Sequence, residues 1–193
     1  MEKMAPRMKI GIILFAVGFL IVAAIAVYTV SESRNPESKD LGEMMINWYF
    51  AEFDEKVADA DLIVIATVSN KTGVWDTENG KKPIVIDYDT KIRTEYTFRP
   101  DDVLKGTTAS FKGRVLGGTA DGYTLKATKT PSFEVGDKVL LFLETNIDAD
   151  GNDKVWYSIG LPDAFYETDD GVFTNEYYGD ITVDELKNDL KEI

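Results

Sequence analysis

The sequence predicts a mainly β domain, a closed barrel or a sandwich, preceded by one N-terminal helix that spans a membrane. Three observations carry that prediction. Residues 10–30, IGIILFAVGFLIVAAIAVYTV, contain no charged side chain, and at helical rise they cover about 31 Å, the thickness of a bilayer's hydrocarbon core. From residue 62 onward, short β-branched or alternating runs recur between glycine-centred turns, the spacing of an all-β barrel or sandwich. Little helical periodicity separates those runs.

The N-terminus sets the compartment. Lys3, Arg7 and Lys9 precede the apolar run against Glu2 alone, so the positive-inside rule keeps residues 1–9 cytoplasmic and places the rest across the membrane. A cleaved signal peptide is the alternative, with Ala24-Ile25-Ala26 as its small-x-small site. Signal peptides have apolar cores of about 7–15 residues, shorter than this run, so a single-pass anchor in the cell membrane is preferred over secretion. Either way the remainder is exported.

Residues 31–39, SESRNPESK, form a polar linker broken by Pro36. In residues 40–53, Met44, Met45, Trp48, Tyr49 and Phe53 fall at helix-like spacings, which predicts a helix whose stripe packs on the domain. A short turn over residues 54–60 follows. Residues 62–68, LIVIATV, read as a buried strand. Residues 70–83 read as a long excursion holding Val74, Trp75 and the turn pair Asn79-Gly80, with Trp75 covering an open end of the barrel rather than serving as an exposed recognition residue. Ile84-Val85-Ile86 reads as a further apolar strand segment.

Next, Ile92, Thr94, Tyr96 and Phe98 alternate with Arg93, Glu95, Thr97 and Arg99, a period of two with one wet face. Pro100 marks a bulge or corner before residues 103–106. Residues 111–116, 123–127, 139–143 and 155–159 supply more strands, and Ile63, Ile65, Leu141 and Leu143 are expected in the barrel core. At the C-terminus, Thr182 and Glu185 form a capping box, Ile181 staples to Leu186, and Leu186, Leu190 and Ile193 share one helical face.

Composition narrows function more than it defines it. The 193 residues hold 34 acids against 21 bases, a net charge of −13, and the first nine residues take three of those bases. Such a surface repels nucleic acid and anionic headgroups, so neither is an expected partner. Cysteine and histidine are both absent. Thiol nucleophiles, Ser-His-Asp triads and His- or Cys-ligated zinc or copper are therefore impossible, and the core must hold without disulfides.

Carboxylate chemistry survives that exclusion, but no spacing singles out an acid pair. Residues 146–151, NIDADG, open like a calcium loop, yet the twelfth position is Tyr157 where a bidentate glutamate belongs. The reading is an acidic hairpin tip without metal. No catalytic, metal or cofactor residue is assigned, and the ligand-binding residues stay unknown.

The runs ADADLIVIATVSN, EYTFRPDDVLKG, VLGG, PSFEVGDKVLLFLE and VWYSIG occur in that order. As an ordered set, over about residues 58–160, they resemble the netrin-like domains of tissue inhibitors of metalloproteinases. Many small bacterial and archaeal surface proteins look similar. The resemblance implies an OB-type Greek-key barrel of five strands with short flanking helices, occupying residues 40–193. It does not carry inhibition with it, because those inhibitors chelate zinc through an N-terminal cysteine and this chain has none.

The functional expectation is a membrane-tethered, outward-facing binding module without catalytic activity, acting on a protein partner at the cell surface. The alternatives are an envelope component that holds a neighbouring membrane or surface-layer protein through residues 40–53, and a carboxylate-dependent hydrolase. Within the domain, residues 70–83, with Trp75, Lys71, Lys81 and Lys82, are the expected contact loop.

Overall fold

An apolar run such as residues 62–68 is stable as a strand only if both of its faces are covered. The computed structural model, which describes residues 38–77, 79–87, 89–145 and 156–191, covers both. Strand β2 (Leu62–Trp75) lies between β3 (Ile92–Lys105) and β7 (Lys138–Leu143), antiparallel to each. Leu62, Val64, Ala66, Leu141 and Leu143 point into the concave side of the sheet with Tyr96, Phe98 and Phe133. Ile63, Ile65, Leu140 and Phe142 point to the other side, under two short helices. All four expected core residues are buried, but Ile63 and Ile65 belong to a different core from Leu141 and Leu143.

The sheet is a curled half-barrel of eight strands in the order β11-β10-β9-β7-β2-β3-β4-β8. Its remaining members are β4 (Phe111–Leu116), β8 (Tyr157–Ser158), β9 (Ala164–Glu167), β10 (Phe173–Asn175) and β11 (Gly179–Ile181). A smaller sheet joins β1 (Lys39–Met45) to β6 (Tyr123–Thr128) and β5 (Gly118–Ala120). The two helices are α1 (Phe53–Asp59) and α2 (Val183–Asp189). Lys39–Ile193 forms one compact unit.

The expected bulge forms at Pro100, and β3 runs on through it. The ladder slips there, with Ala66 opposite Pro100 and Ile65 opposite Asp102, so Asp101 is the extra residue of a bulge and accepts from the Thr67 hydroxyl at 2.5 Å. The C-terminal capping box forms as expected. Thr182 Oγ1 accepts from Glu185 N at 3.2 Å and Thr182 N donates to Glu185 Oε2 at 2.9 Å. The Thr182 hydroxyl also donates to Glu185 Oε2 at 2.7 Å, and that bond, with the one from Thr182 N, holds the Glu185 carboxyl below its ordinary pKa.

Three expectations are overturned. Residues 40–53 are not a helix. They begin as β1, parallel to β6 with Lys39 opposite Tyr123 and Met45 opposite Thr128, and run on without regular structure to α1. The burial explains the mistake, because Met44, Ile46, Trp48 and Phe50 are half-buried while Met45, Asn47 and Tyr49 are exposed. That is a period of two, which the helix-like spacing of the large residues conceals. Lys39, read as linker, is already paired.

Residues 70–75 are likewise not part of a loop. β2 continues to Trp75, paired residue by residue with β3 as far as Ile92. At Gly73 the hairpin β5–β6 crosses so closely that a Cβ would lie 1.7 Å from the Thr119 carbonyl oxygen, so no larger residue fits. Residues 84–86 form no strand, and Ile84 and Val85 stand in solvent.

The expected membrane helix of residues 10–30 and the loop of residues 146–155 lie outside the described residues. Among those described, no helix is long and apolar enough to cross a membrane.

Candidate functional site

The chain brings aromatic residues from distant segments to the convex side of the sheet, where α1, β11 and α2 meet. Phe53 opens α1 and sets its ring edge-on to Phe142 at 5.6 Å and to Phe165 at 6.1 Å. Tyr178 stacks on Phe165 at 5.9 Å, and its hydroxyl donates to the Ala51 carbonyl at 2.9 Å. Outside them, Phe50 stacks on Tyr177.

Asn175 fixes the corner between β10 and β11. Its amide donates to the Leu161 and Ala164 carbonyls at 3.0 and 2.9 Å, and its oxygen accepts from Tyr177 N at 2.8 Å. Lys56 of α1 closes the same corner with a 2.6 Å ion pair to Asp163.

A cleft of about 380 Å³ opens over this floor, lined by Phe53, Phe165, Tyr178 and Ile181 and rimmed by Asp180, Glu185 and Asp189. Burial raises the Tyr178 hydroxyl pKa, and the nearby Asp163 and Glu52 push it the same way, so it stays a neutral donor. Aromatic faces carry negative potential, and carboxylates at the rim add to it. The cleft therefore suits a cation with an apolar stem, such as a lysine or arginine side chain, which can lay its methylenes on the rings. Tyr49, 82% exposed, and Tyr177, 50% exposed, extend the aromatic surface beyond the cleft.

A second cleft, of about 350 Å³, lies at the far end of β2, between Trp75, Thr77 and Pro83 on one side and Asp87, Asp89 and Lys91 on the other. Trp75 is 1% exposed and donates from Nε1 to Asp121 Oδ2 at 2.7 Å. It is buried in a cluster with Ile92, Ala120 and Leu125, and it belongs to a strand and not to a loop. Lys71 is taken up by Glu134 at 2.7 Å, and that bond raises the lysine's pKa. Lys82 lies over the Tyr123 ring at 4.5 Å, with Lys39 over the same ring at 5.3 Å.

The structure thus separates the residues that the sequence grouped into one contact loop. Trp75 and Lys71 are structural, and only Lys81 and Lys82 belong to the exposed turn. The expected stripe of Met44, Trp48 and Phe53 is half-buried, with the Trp48 ring against Gly160 and its Nε1 donating to the Lys129 carbonyl.

The wet face of β3 holds one acid that is not wet. Glu95 is 7% exposed and accepts from Lys112 Nζ at 2.7 Å and from Arg114 Nε at 2.8 Å. The Trp156 ring lies 4.6 Å from the Arg114 guanidinium. Burial opposes ionisation of Glu95, but the two bonds and charges outweigh it and hold the carboxyl below its ordinary pKa. With its partners placed and its face covered, this cluster cross-braces β3 and β4.

Among the described residues, no group of three or more carboxylates is arranged to hold a metal ion. The calcium-like residues 146–151 lie outside those described.

The acid-rimmed aromatic cleft was not anticipated. A signal existed in the density of aromatics over residues 165–178, FYETDDGVFTNEYY, but no periodicity there announces an element. Glu185 was recognised as a cap, and only the fold shows that its carboxylate also edges a cleft. No family model matches the chain, and no curated protein matches it.

Proposed function

We propose that the protein is a membrane-tethered, outward-facing interaction module that takes a cationic segment of a partner protein into the cleft between α1, β11 and α2. The observation that carries this reading is the cleft itself, a floor of Phe53, Phe165 and Tyr178 with Asp180, Glu185 and Asp189 around it. The reading proposed is binding without catalysis.

The tether in this reading is residues 10–30. The domain is read as an OB-type, netrin-like barrel. Supporting that, β2 pairs with both β3 and β7, β3 pairs with β4, and β4 pairs with β8 in parallel. Residues 157–167 then lead from β8 to β9, which returns to β7, the connection a five-stranded Greek-key barrel needs.

Two measurements test the proposal. Protease added to intact cells should cut beyond Ser31, and the chain should stay with membranes through an alkaline wash. A soluble form beginning near Val27 would instead establish secretion. A photoreactive residue in place of Tyr177 should crosslink a partner in intact cells, and Asp180→Lys with Asp189→Lys should abolish that crosslink. A crosslink indifferent to charge reversal would exclude the cleft.

A further inference from the structure

The opposite end of β2 carries a feature that a soluble surface does not need. The β2–β3 loop is braced at both feet. On one side the Thr77 hydroxyl donates to the Lys81 carbonyl at 2.9 Å, and Lys81 N donates to the Asn79 side chain at 3.0 Å. On the other, Thr90 Oγ1 donates to Asp87 Oδ1 at 3.0 Å, and Ile86 packs against the Trp75 cluster. Between the feet, Ile84 is 105% exposed and Val85 68%. Two aliphatic side chains are thus held out in water by a fixed frame, with Lys81 and Lys82 preceding them across Pro83.

The chain's path says what meets this tip. β1 starts at Lys39, and Lys39 and Lys82 both lie over the Tyr123 ring, so the N-terminal segment joins the domain beside the tip. Only residues 31–38 separate Lys39 from the apolar run. Eight residues reach at most about 26–29 Å. A domain tethered by residues 10–30 is therefore confined near the bilayer at its tip end.

We infer that the tip of residues 82–86 docks on the lipid bilayer, with Ile84 and Val85 entering the interface and Lys39, Lys81 and Lys82 meeting anionic headgroups. This rests on the tether proposed above. The overall acidity that repels a membrane is offset at this tip, where Lys39, Lys81 and Lys82 stand against Asp87 and Asp89, and aliphatic tips flanked by lysines suit the headgroup boundary. The same docking turns the acid-rimmed cleft away from the membrane.

The absence of native cysteine makes the test direct. Full-length chain carrying Ile84→Cys or Tyr177→Cys is labelled with a polarity-sensitive fluorophore. It is reconstituted into vesicles of phosphatidylcholine and phosphatidylglycerol containing brominated lipid. The label at residue 84 should emit blue-shifted and be quenched several-fold more than the label at residue 177. Lys81→Glu with Lys82→Glu should remove most of that difference.

Equal quenching at the two positions in chain that survives an alkaline wash would overturn the docking while leaving the tether intact. Chain lost in the wash would overturn the tether and the docking together. Shielding of residue 84 that grows with protein density and ignores the brominated lipid would assign the tip to a second copy and overturn the inference.

Discussion

The two ends of β2 make opposite use of similar residues. At its start, Phe53, Phe142, Phe165 and Tyr178 pack edge to face and stack, and carboxylates surround them. At its finish, Trp75 and Tyr123 meet at 5.4 Å, and lysines lie over the outer ring. The acidic end has depth because two helices stand over the sheet. The lysine-bearing end has a cleft of similar volume, about 350 Å³, but a single loop caps the strand pair there and also holds two aliphatics out in water. An average charge of −13 describes neither end.

The largest effect should come from removing depth at the acidic end. Phe165 is fully buried, so Phe165→Ala should cost about 3–5 kcal/mol in denaturant unfolding. A loss below about 1 kcal/mol would mean that the aromatic floor is a surface layer, and the contrast between the ends would fail. Next comes the segment of residues 39–52 that runs between them. A Cβ at Gly160 would lie 2.5 Å from the Trp48 ring, so Gly160→Val should cost about 1–3 kcal/mol by overpacking. It should also raise proteolysis within residues 39–52. Unchanged cleavage there would show that Trp48 is not what seats this segment.

A third test uses acid. The Glu95 pKa is lower folded than unfolded, so its contribution is complete above the ordinary glutamate value of about 4.3. It is lost as pH falls from there through the folded value. Unfolding free energy measured from pH 6 to pH 3 should therefore fall less steeply in Glu95→Gln than in wild type. Equal slopes would remove Glu95 from the brace between β3 and β4.

The smallest effect should be at the basic tip. Ile84→Ser and Val85→Ser touch no core and should change stability by no more than about 0.5 kcal/mol. A larger loss would mean that the tip is structural and not a contact surface.

How much of this the sequence disclosed depends on whether a residue's role is local. The Thr182 and Glu185 cap, the strand from Phe111 and the apolar run at Leu62 are set by neighbours within a few positions, and all were legible. The strand β1 was not, because its burial does not alternate, with only Leu41 and Met44 half-buried in it, and the large residues from Met44 onward also satisfy a helical spacing. β2 was cut short for a related reason. Its second half, residues 69–74, is polar because β3 alone flanks it there, beyond the reach of β7, so hydrophobicity underestimates its length. Glu95 read as a wet-face residue because nothing local reports that Arg114 and Trp156 arrive over it. The cleft gathers Phe53, Phe165 and Asp189, residues so far apart in the chain that only the folded topology brings them together.

One segment has a further consequence. Residues 39–52 run from the basic tip past the sheet to α1, held by the β1–β6 pairs and by Trp48. In the proposed tethering, residues 31–38 span at most about 26–29 Å while this segment is seated. If the segment lifted away, the span would extend through residue 52, to at most about 73–79 Å. The distance that the aromatic cleft could reach from its anchor would then rise almost threefold, and the cleft could face in any direction. The seating of one tryptophan on one glycine would thus decide whether the domain presents a fixed face or hunts on a longer line.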